Sequence, residues 1–212
     1  MTEGEPALRT DAAWLLDWRR QVAALYAQVR AAASAQGEQP SHQLWREGRD
    51  RLLATHPQSP IPVAERATFT GVPVAHYDPS LRFLASIDTD VAPMRIESRT
   101  GTDGVVPFER AGVVRLPGIG SLDVWWLASY GGGIFVPIKD TSGMTYGGGR
   151  YVLDTVKGAD LGGSDGNLVI DLNFAYNPSC AYDPAWACPL APPGNTVQTA
   201  VNAGELMRSR LD

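Results

Sequence analysis

The sequence predicts a mainly β protein of the α+β class: an antiparallel sandwich or barrel with one or two helices at its N-terminus. Three observations lead to this prediction. Apolar residues recur at helical spacing in the first third of the chain. From about residue 68, short alternating segments follow, with turn signals every ~8–12 residues. Segments of helix length do not separate these strands, which argues against a parallel doubly wound sheet.

The composition is that of a folded, soluble chain. Of 212 residues, 44% are hydrophobic, which suits one domain with appendages. The net charge of −5 argues against nucleic acid or an anionic membrane surface as a partner, because either requires a basic face. The acidic start carries no secretory signal, and no apolar run is long enough to span a membrane. We therefore expect a cytoplasmic protein.

The first helix is predicted over about residues 11–33. Apolar residues fall at spacings of three and four on one stripe, namely Trp14, Trp18, Val22, Leu25 and Val29. We expect this stripe to dock on the sheet. The alternative is a face that binds a partner protein.

A second helix is predicted from Ser41, its expected N-cap, to about residue 54. Gly37 and Pro40 separate it from the first helix. Three prolines within residues 57–62 then form an extended linker.

The remaining chain is predicted to be β-rich. We assign residues 1–56 to a helical extension and residues 57–212 to a single β-rich domain. The predicted strands cover residues 81–87, 94–98, 105–106, 113–116, 122–128, 134–138, 150–156, 168–174 and 196–201. Trp125 and Trp126 are adjacent in one of them, so one indole should enter the core and the other should line the opposite face.

Three segments of the β-rich part carry a family resemblance. Residues 139–151 contain Lys-Asp-Thr-Ser-Gly and Thr-Tyr-Gly-Gly-Gly-Arg-Tyr, and residues 171–178 are Asp-Leu-Asn-Phe-Ala-Tyr-Asn-Pro. Residues 180–205 contain Cys-Ala-Tyr, Cys-Pro, Pro-Pro, Asn and Ala-Gly-Glu. In this order the segments resemble a family of prokaryotic proteins catalogued as domain of unknown function 1684. The resemblance spans about residues 59–205 and implies no established activity.

A polar pocket is predicted between the glycine corner at residues 146–150 and the proline-rich loop at residues 173–182 (the 173–182 loop). Glycines let backbone amides approach a ligand, and the forked guanidinium of Arg150 suits an anionic or polar group. The leading hypothesis is therefore a small-molecule-binding β domain. The predicted ligand-binding residues are Tyr146, Arg150, Asp171, Asn173, Tyr176, Asn177 and Tyr182.

The same residues allow a structural interpretation. Arg150 and Asp171 would then form a buried ion pair that fixes strand register, and the asparagines would satisfy loop backbone. The two interpretations predict different outcomes for Arg150→Ala. A ligand anchor predicts lost ligand-dependent stabilisation in a folded chain, whereas a structural pair predicts unfolding.

An enzyme of the hydrolase type is the second hypothesis. It would use Cys180 with His76 as base, or Asp171 with an activated water. The spacing defines no complete set of nucleophile, base and orienting group, and no metal-binding motif occurs. We expect Cys180 and Cys188 to be small packing residues, or to form a disulfide only under oxidising conditions.

A structural protein that docks a partner through its N-terminal helix is the third hypothesis. The sequence leaves the cofactor, the oligomeric state and the identity of the ligand open.

Overall fold

The computed structural model describes the backbone of residues 5–101 and 104–207, and the side chains of that part from residue 11 onward. Within it, three helices come first: α1 (Glu5–Gln36), α2 (Glu38–Thr55) and the single turn α3 (Val63–Arg66). The strands are β1 (Arg82–Ser86), β2 (Arg95–Arg99), β3 (Val105–Leu116), β4 (Gly120–Leu127), β5 (Ile134–Ile138), β6 (Arg150–Asp154), β7 (Gly163–Ser164) and β8 (Asn167–Asp171).

Both predicted helices are present, but α1 is longer at both ends than the predicted residues 11–33, and the junction between the helices differs from the prediction. Gly37 separates them with a left-handed φ of 96°. Pro40 lies in the first turn of α2, where amides lack intrahelical partners and proline is tolerated. Ser41 is therefore not the N-cap. It is buried inside α2, and its hydroxyl donates to the carbonyl of Glu38 at 2.7 Å.

The strands form two antiparallel sheets, so the predicted sandwich-like α+β fold is confirmed and the barrel alternative is wrong. One sheet has the order β1-β8-β7, the other β2-β3-β4-β5-β6, and neither closes on itself. Two predicted segments, residues 105–106 and 113–116, belong to the single strand β3. Its register shifts between Arg110 and Gly112, as expected of a bulge that bends a long strand.

Three strand predictions require correction. The segments expected to reach residues 156 and 174 end at Asp154 and Asp171, and each continues into a 3₁₀ turn. The strand expected at residues 196–201 is replaced by irregular chain with one parallel bridge from Thr196 to Lys139. There the amide of Val201 donates to the Asp140 carboxylate at 2.7 Å instead of to a strand.

Hydrophobic clusters cover both faces of the five-stranded sheet. Between the two sheets lie, among others, Ala85, Val114, Leu122, Val136, Leu153 and Ile170. On the other face the helices pack against the sheet through a cluster that includes Leu25, Val29, Trp45, Trp125, Tyr151 and Phe174. The helical extension and the β-rich part thus share one core. The boundary between residues 56 and 57 stays a prediction.

The tryptophans follow the expected alternation. Trp125 is fully buried, whereas Trp126 is 45% exposed. Trp18 packs partly against the shared core, and Trp14 remains 42% exposed. Among the described residues, no helix has the length and apolar character needed to cross a bilayer.

Candidate functional site

A cavity, here called the helix–loop cavity, lies between helices α1 and α2 and the 173–182 loop. Its volume is about 60 Å³, several times the ~10–15 Å³ that one water requires. Six aromatic residues and four polar residues account for much of its wall. The aromatic residues are Trp18, Tyr26, Trp45, Tyr151, Tyr176 and Tyr182, and the polar residues are Arg49, Lys157, Asn177 and Ser179.

The 173–182 loop is held at the edge of β6. Tyr151 and Tyr176 exchange two backbone hydrogen bonds of 2.8 and 2.9 Å. Pro178 follows with φ at −65°, and a 3₁₀ turn spans Ser179–Ala181. Because proline has little backbone freedom to lose, this loop is a stiff wall for the cavity.

A buried ion pair joins the cavity to the segment of residues 201–206, here called the closing segment. Glu205 pairs with Arg49 of α2, and its side chain is completely buried. The Glu205 carboxylate also accepts from the backbone amide of Asn177 at 2.6 Å and from the Tyr182 hydroxyl at 2.7 Å. The Arg49 guanidinium lies 4.7 Å from the centre of the Tyr176 ring. Arg49, not Arg150, is therefore the guanidinium at this cavity.

The electrostatics keep this network in its charged, hydrogen-bonded form. Burial is the largest single effect on Arg49 and disfavours its charge, but the Glu205 carboxylate, Tyr182 and Tyr176 together outweigh burial and raise the pKa of the guanidinium above its ordinary value. Burial raises the pKa of Tyr182 well above its ordinary value, and Glu205 adds to the effect. Tyr182 therefore stays a hydrogen-bond donor at neutral pH.

The three buried asparagines of the described chain differ in how their side chains are satisfied. Asn195 accepts from the Trp125 indole at 2.8 Å and donates to two backbone carbonyls, at 2.8 and 2.9 Å. Asn173 accepts from the Asp78 amide at 2.8 Å and donates twice. Asn177 donates to the Leu206 carbonyl at 3.2 Å, but its Oδ1 is buried with no partner among the described residues.

Tyr26 supplies the complementary free group. Its hydroxyl oxygen accepts from the Trp45 indole at 3.2 Å. Its hydroxyl hydrogen has no acceptor within the described part of the chain. The wall of the helix–loop cavity thus includes a residue with an unused acceptor, Asn177, and one with an unused donor, Tyr26.

Arg150 lies elsewhere, fully buried beneath the closing segment. It donates to the carbonyls of Val201, Ala203 and Glu205, and pairs with Asp140 at 3.4 Å. Burial lowers its pKa to about 10, against the opposing charges of Asp140 and Glu205. The expected pairing with Asp171 is wrong, because β6 and β8 belong to different sheets.

Asp171 and Asn173 form a separate cluster. Both are completely buried. Asp171 pairs with Arg82 at 3.4 Å, and its carboxylate accepts from the Tyr77 hydroxyl at 3.4 Å and the Asn173 amide at 3.0 Å. The expectation that both side chains project from one strand face is wrong, because residues 172–174 form a 3₁₀ turn. Burial raises the pKa of Asp171.

The remaining candidates also separate. The Tyr146 hydroxyl donates to Cys180 Sγ at 3.6 Å, outside the cavity wall. His76 is exposed and lines a groove of about 380 Å³ with His42, Arg46 and other residues. The described residues place no group of three or more potential metal ligands together.

Of the seven predicted ligand-binding residues, three meet at the cavity: Tyr176, Asn177 and Tyr182. The sequence analysis missed Arg49 and Glu205. A signal for Arg49 is present, since it lies four residues after Trp45 and three before Leu52, on the buried stripe of α2. A charged residue at such a position requires a buried partner.

Comparison with known proteins places the chain among proteins without an assigned activity. A family model described as a protein of unknown function (DUF1684) matches residues 67–206. The chain is 32% identical to an uncharacterised Haloarcula marismortui protein solved by solution NMR. The similarity covers 84% of this chain and 99% of that one, with a TM-score of 0.57. No curated protein matches. With most of its β-rich part covered by the family model, the chain belongs to the DUF1684 family.

Proposed function

We propose that this protein is a small-molecule-binding domain whose ligand occupies the helix–loop cavity. The observation that carries the proposal is the buried Asn177 Oδ1, which has no partner among the described residues. A buried acceptor without a hydrogen bond costs ~1–3 kcal/mol. A ligand that donates to this oxygen would recover that cost on binding.

The cavity favours a small neutral ligand over an anion. Arg49 is already neutralised by Glu205, so it offers an anion little uncompensated charge. Lys157 is 46% exposed and lies 3.7 Å from an Asp154 oxygen. The groups with unused hydrogen-bonding capacity include an acceptor, Asn177 Oδ1, and a donor, the Tyr26 hydroxyl. An alcohol or a primary carboxamide presents the matching donor and acceptor together.

The size of the cavity limits the rest of the ligand. About 60 Å³ is well below the ~300–1,000 Å³ of pockets for drug-sized molecules. The aromatic wall favours an apolar body beside the polar group. The proposed ligand class is therefore short alcohols and carboxamides, or the end group of a longer molecule.

The experiment is an NMR titration of the full chain with a panel of short alcohols and carboxamides. The indole N–H of Trp45, which lines the cavity, is the reporter. We expect saturable shifts in the wild type and binding weakened on the order of tenfold in Asn177→Leu, which removes the free acceptor at similar volume.

The matched control is Asn202→Leu, which changes the same residue type at an exposed position and should bind like the wild type. The proposal fails if the panel leaves the Trp45 signal unmoved, or if Asn177→Leu binds as tightly as the control.

A further inference from the structure

A groove of about 380 Å³, here called the α2 groove, lies beside the first half of α2. Its wall includes His42 and Arg46 of α2, and His76 and Tyr77 of the chain before β1. None of the described residues that line it is acidic, and it shares no lining residue with the helix–loop cavity. Its volume falls within the ~300–1,000 Å³ typical of small-molecule sites. The α2 groove is therefore large enough to be a second binding site.

His42 places an unused acceptor in this groove. Its Nε2 lies 2.9 Å from the Asn173 carbonyl oxygen, and a carbonyl can only accept, so Nε2 carries the ring proton. Nδ1 then has a lone pair, and the described residues offer it no donor. The residue is only 3% exposed, yet Nδ1 is not sealed from solvent. Because His42 lines the groove, Nδ1 meets solvent there.

Three aromatic rings hold the imidazole in place. Trp45 stacks on it at a centroid distance of 5.4 Å, and Phe174 meets it edge-on at 5.1 Å. The Tyr77 ring is tilted against it at 5.5 Å. Burial lowers the pKa of His42 to about 4, with a contribution from the charge of Arg46, so the ring is neutral at neutral pH and keeps its lone pair. The acceptor is thus fixed before any ligand arrives.

Arg46 supplies an unpaired cation beside this acceptor. It follows His42 by four residues, so the two side chains share one side of α2, with Cβ atoms about 5–6 Å apart. Arg46 is partly exposed, and its guanidinium makes no ion pair or hydrogen bond with the described residues. Its charge acts on Asp50, but the Asp50 carboxylate accepts from the Val72 amide at 2.9 Å and does not line the groove.

We propose that the α2 groove binds a small α-hydroxycarboxylate, whose carboxylate is held by Arg46 and whose hydroxyl donates to His42 Nδ1. Such a molecule carries its anion and its donor on adjacent carbons, which suits two protein groups one helical turn apart. The wall has one arginine and no lysine, so it matches a single negative charge better than a phosphate dianion. The proposal is independent of the ligand proposed for the helix–loop cavity.

The test is an NMR titration of the full chain at neutral pH with lactate and propanoate, which differ by one hydroxyl. Long-range nitrogen–proton correlation spectra distinguish the two ring nitrogens of His42. We expect lactate to shift the Nδ1 signal saturably and to leave the Nε2 signal in place. Propanoate should bind roughly fivefold more weakly, because it has no hydroxyl to donate to Nδ1.

Arg46→Gln removes the positive charge and should weaken lactate binding on the order of tenfold. It should keep the wild-type fold by circular dichroism, because the guanidinium has no partner to lose. The matched control is Arg51→Gln, the same change at an exposed position of α2 outside the groove, which should bind lactate like the wild type. The proposal is overturned if lactate moves neither ring nitrogen, if propanoate binds as tightly as lactate, or if Arg46→Gln unfolds or binds like the control.

Discussion

Arg49 and Glu205 lie 156 positions apart in the chain and form an ion pair between α2 and the closing segment. The Glu205 side chain is completely buried, and that of Arg49 is 14% exposed. Both carboxylate oxygens are occupied, by Arg49, the Asn177 amide and the Tyr182 hydroxyl. Such complete pairing is what offsets the cost of removing two charges from water. The pair ties the helical extension to the β-rich part.

Glu205→Ala should therefore be strongly destabilising. It leaves the Arg49 guanidinium without its counter-charge, which costs about 3–5 kcal/mol at buried pairs. Urea unfolding measures the loss. The control is Glu109→Ala, whose pair with Arg95 is more than half exposed and which should cost less than ~1 kcal/mol. Equal losses in the two variants would contradict the assigned burial.

Arg150→Lys should destabilise the fold although it keeps the charge. Arg150 reaches three carbonyls and one carboxylate through a planar fork, and a lysine ammonium cannot reproduce this geometry. We expect a loss of about 2–3 kcal/mol in unfolding free energy. Arg115→Lys, at a site 71% exposed, should change little. An unchanged unfolding free energy in Arg150→Lys would show that the closing segment does not depend on the guanidinium.

Asn195→Leu and Asn177→Leu should differ in cost in the absence of any ligand. Asn195 loses three hydrogen bonds and leaves the Trp125 indole unpaired, so we expect a loss of about 3 kcal/mol. Asn177→Leu loses one hydrogen bond, to the Leu206 carbonyl, so we expect the unfolding free energy to fall by about 1 kcal/mol. Thermal unfolding of both variants measures the difference. A reversed order would mean that Asn177, not Asn195, is the structural asparagine.

Acidification should destabilise the protein through His42. Burial lowers the pKa of His42 from 6.5 to about 4, and the positive charge of Arg46 contributes. Between these values the unfolded chain binds a proton that the folded chain does not, so stability falls as pH drops from 6.5 towards 4.

The expected loss is about 2 kcal/mol once solvent in the adjoining groove is allowed for. His42→Gln retains a donor for the Asn173 carbonyl and should flatten this part of the pH–stability curve. His76→Gln, at an exposed site, should leave the curve as in the wild type. A wild-type curve that is flat over this interval would show that His42 protonates normally in the fold.

The fold class was predictable because its signals are local. The stripe of α1 and the turn between β3 and β4 depend on residues a few positions apart, and helices and hairpins form over that range. The strand ends were less predictable. The Asp171 carboxylate accepts a hydrogen bond from the Asn173 backbone amide at 3.0 Å and caps a 3₁₀ turn. The alternation of apolar and polar residues gives no signal for this turn, so it could not show where the strand ends.

The site was only partly predictable because its partners are remote in sequence. Spacing indicated that Tyr176, Asn177 and Tyr182 would be close together. It gave no information on which of many carboxylates Arg49 or Arg150 would meet, since that depends on how α2 and the closing segment dock. Arg150 was expected to pair with Asp171, and it pairs with Asp140. Long-range pairing of this kind is a property of the tertiary fold.

The position of the closing segment also affects how the protein forms on the ribosome. The eight strands of the described residues all precede residues 201–206 in the chain, so they leave the exit tunnel first. Until this segment emerges, Arg150 has no carbonyls from Val201, Ala203 and Glu205 to bind, and Arg49 has no counter-ion. The nascent chain therefore keeps Arg150 with Asp140 alone and Arg49 without a carboxylate until Glu205 has emerged, so its final consolidation follows synthesis of all these strands.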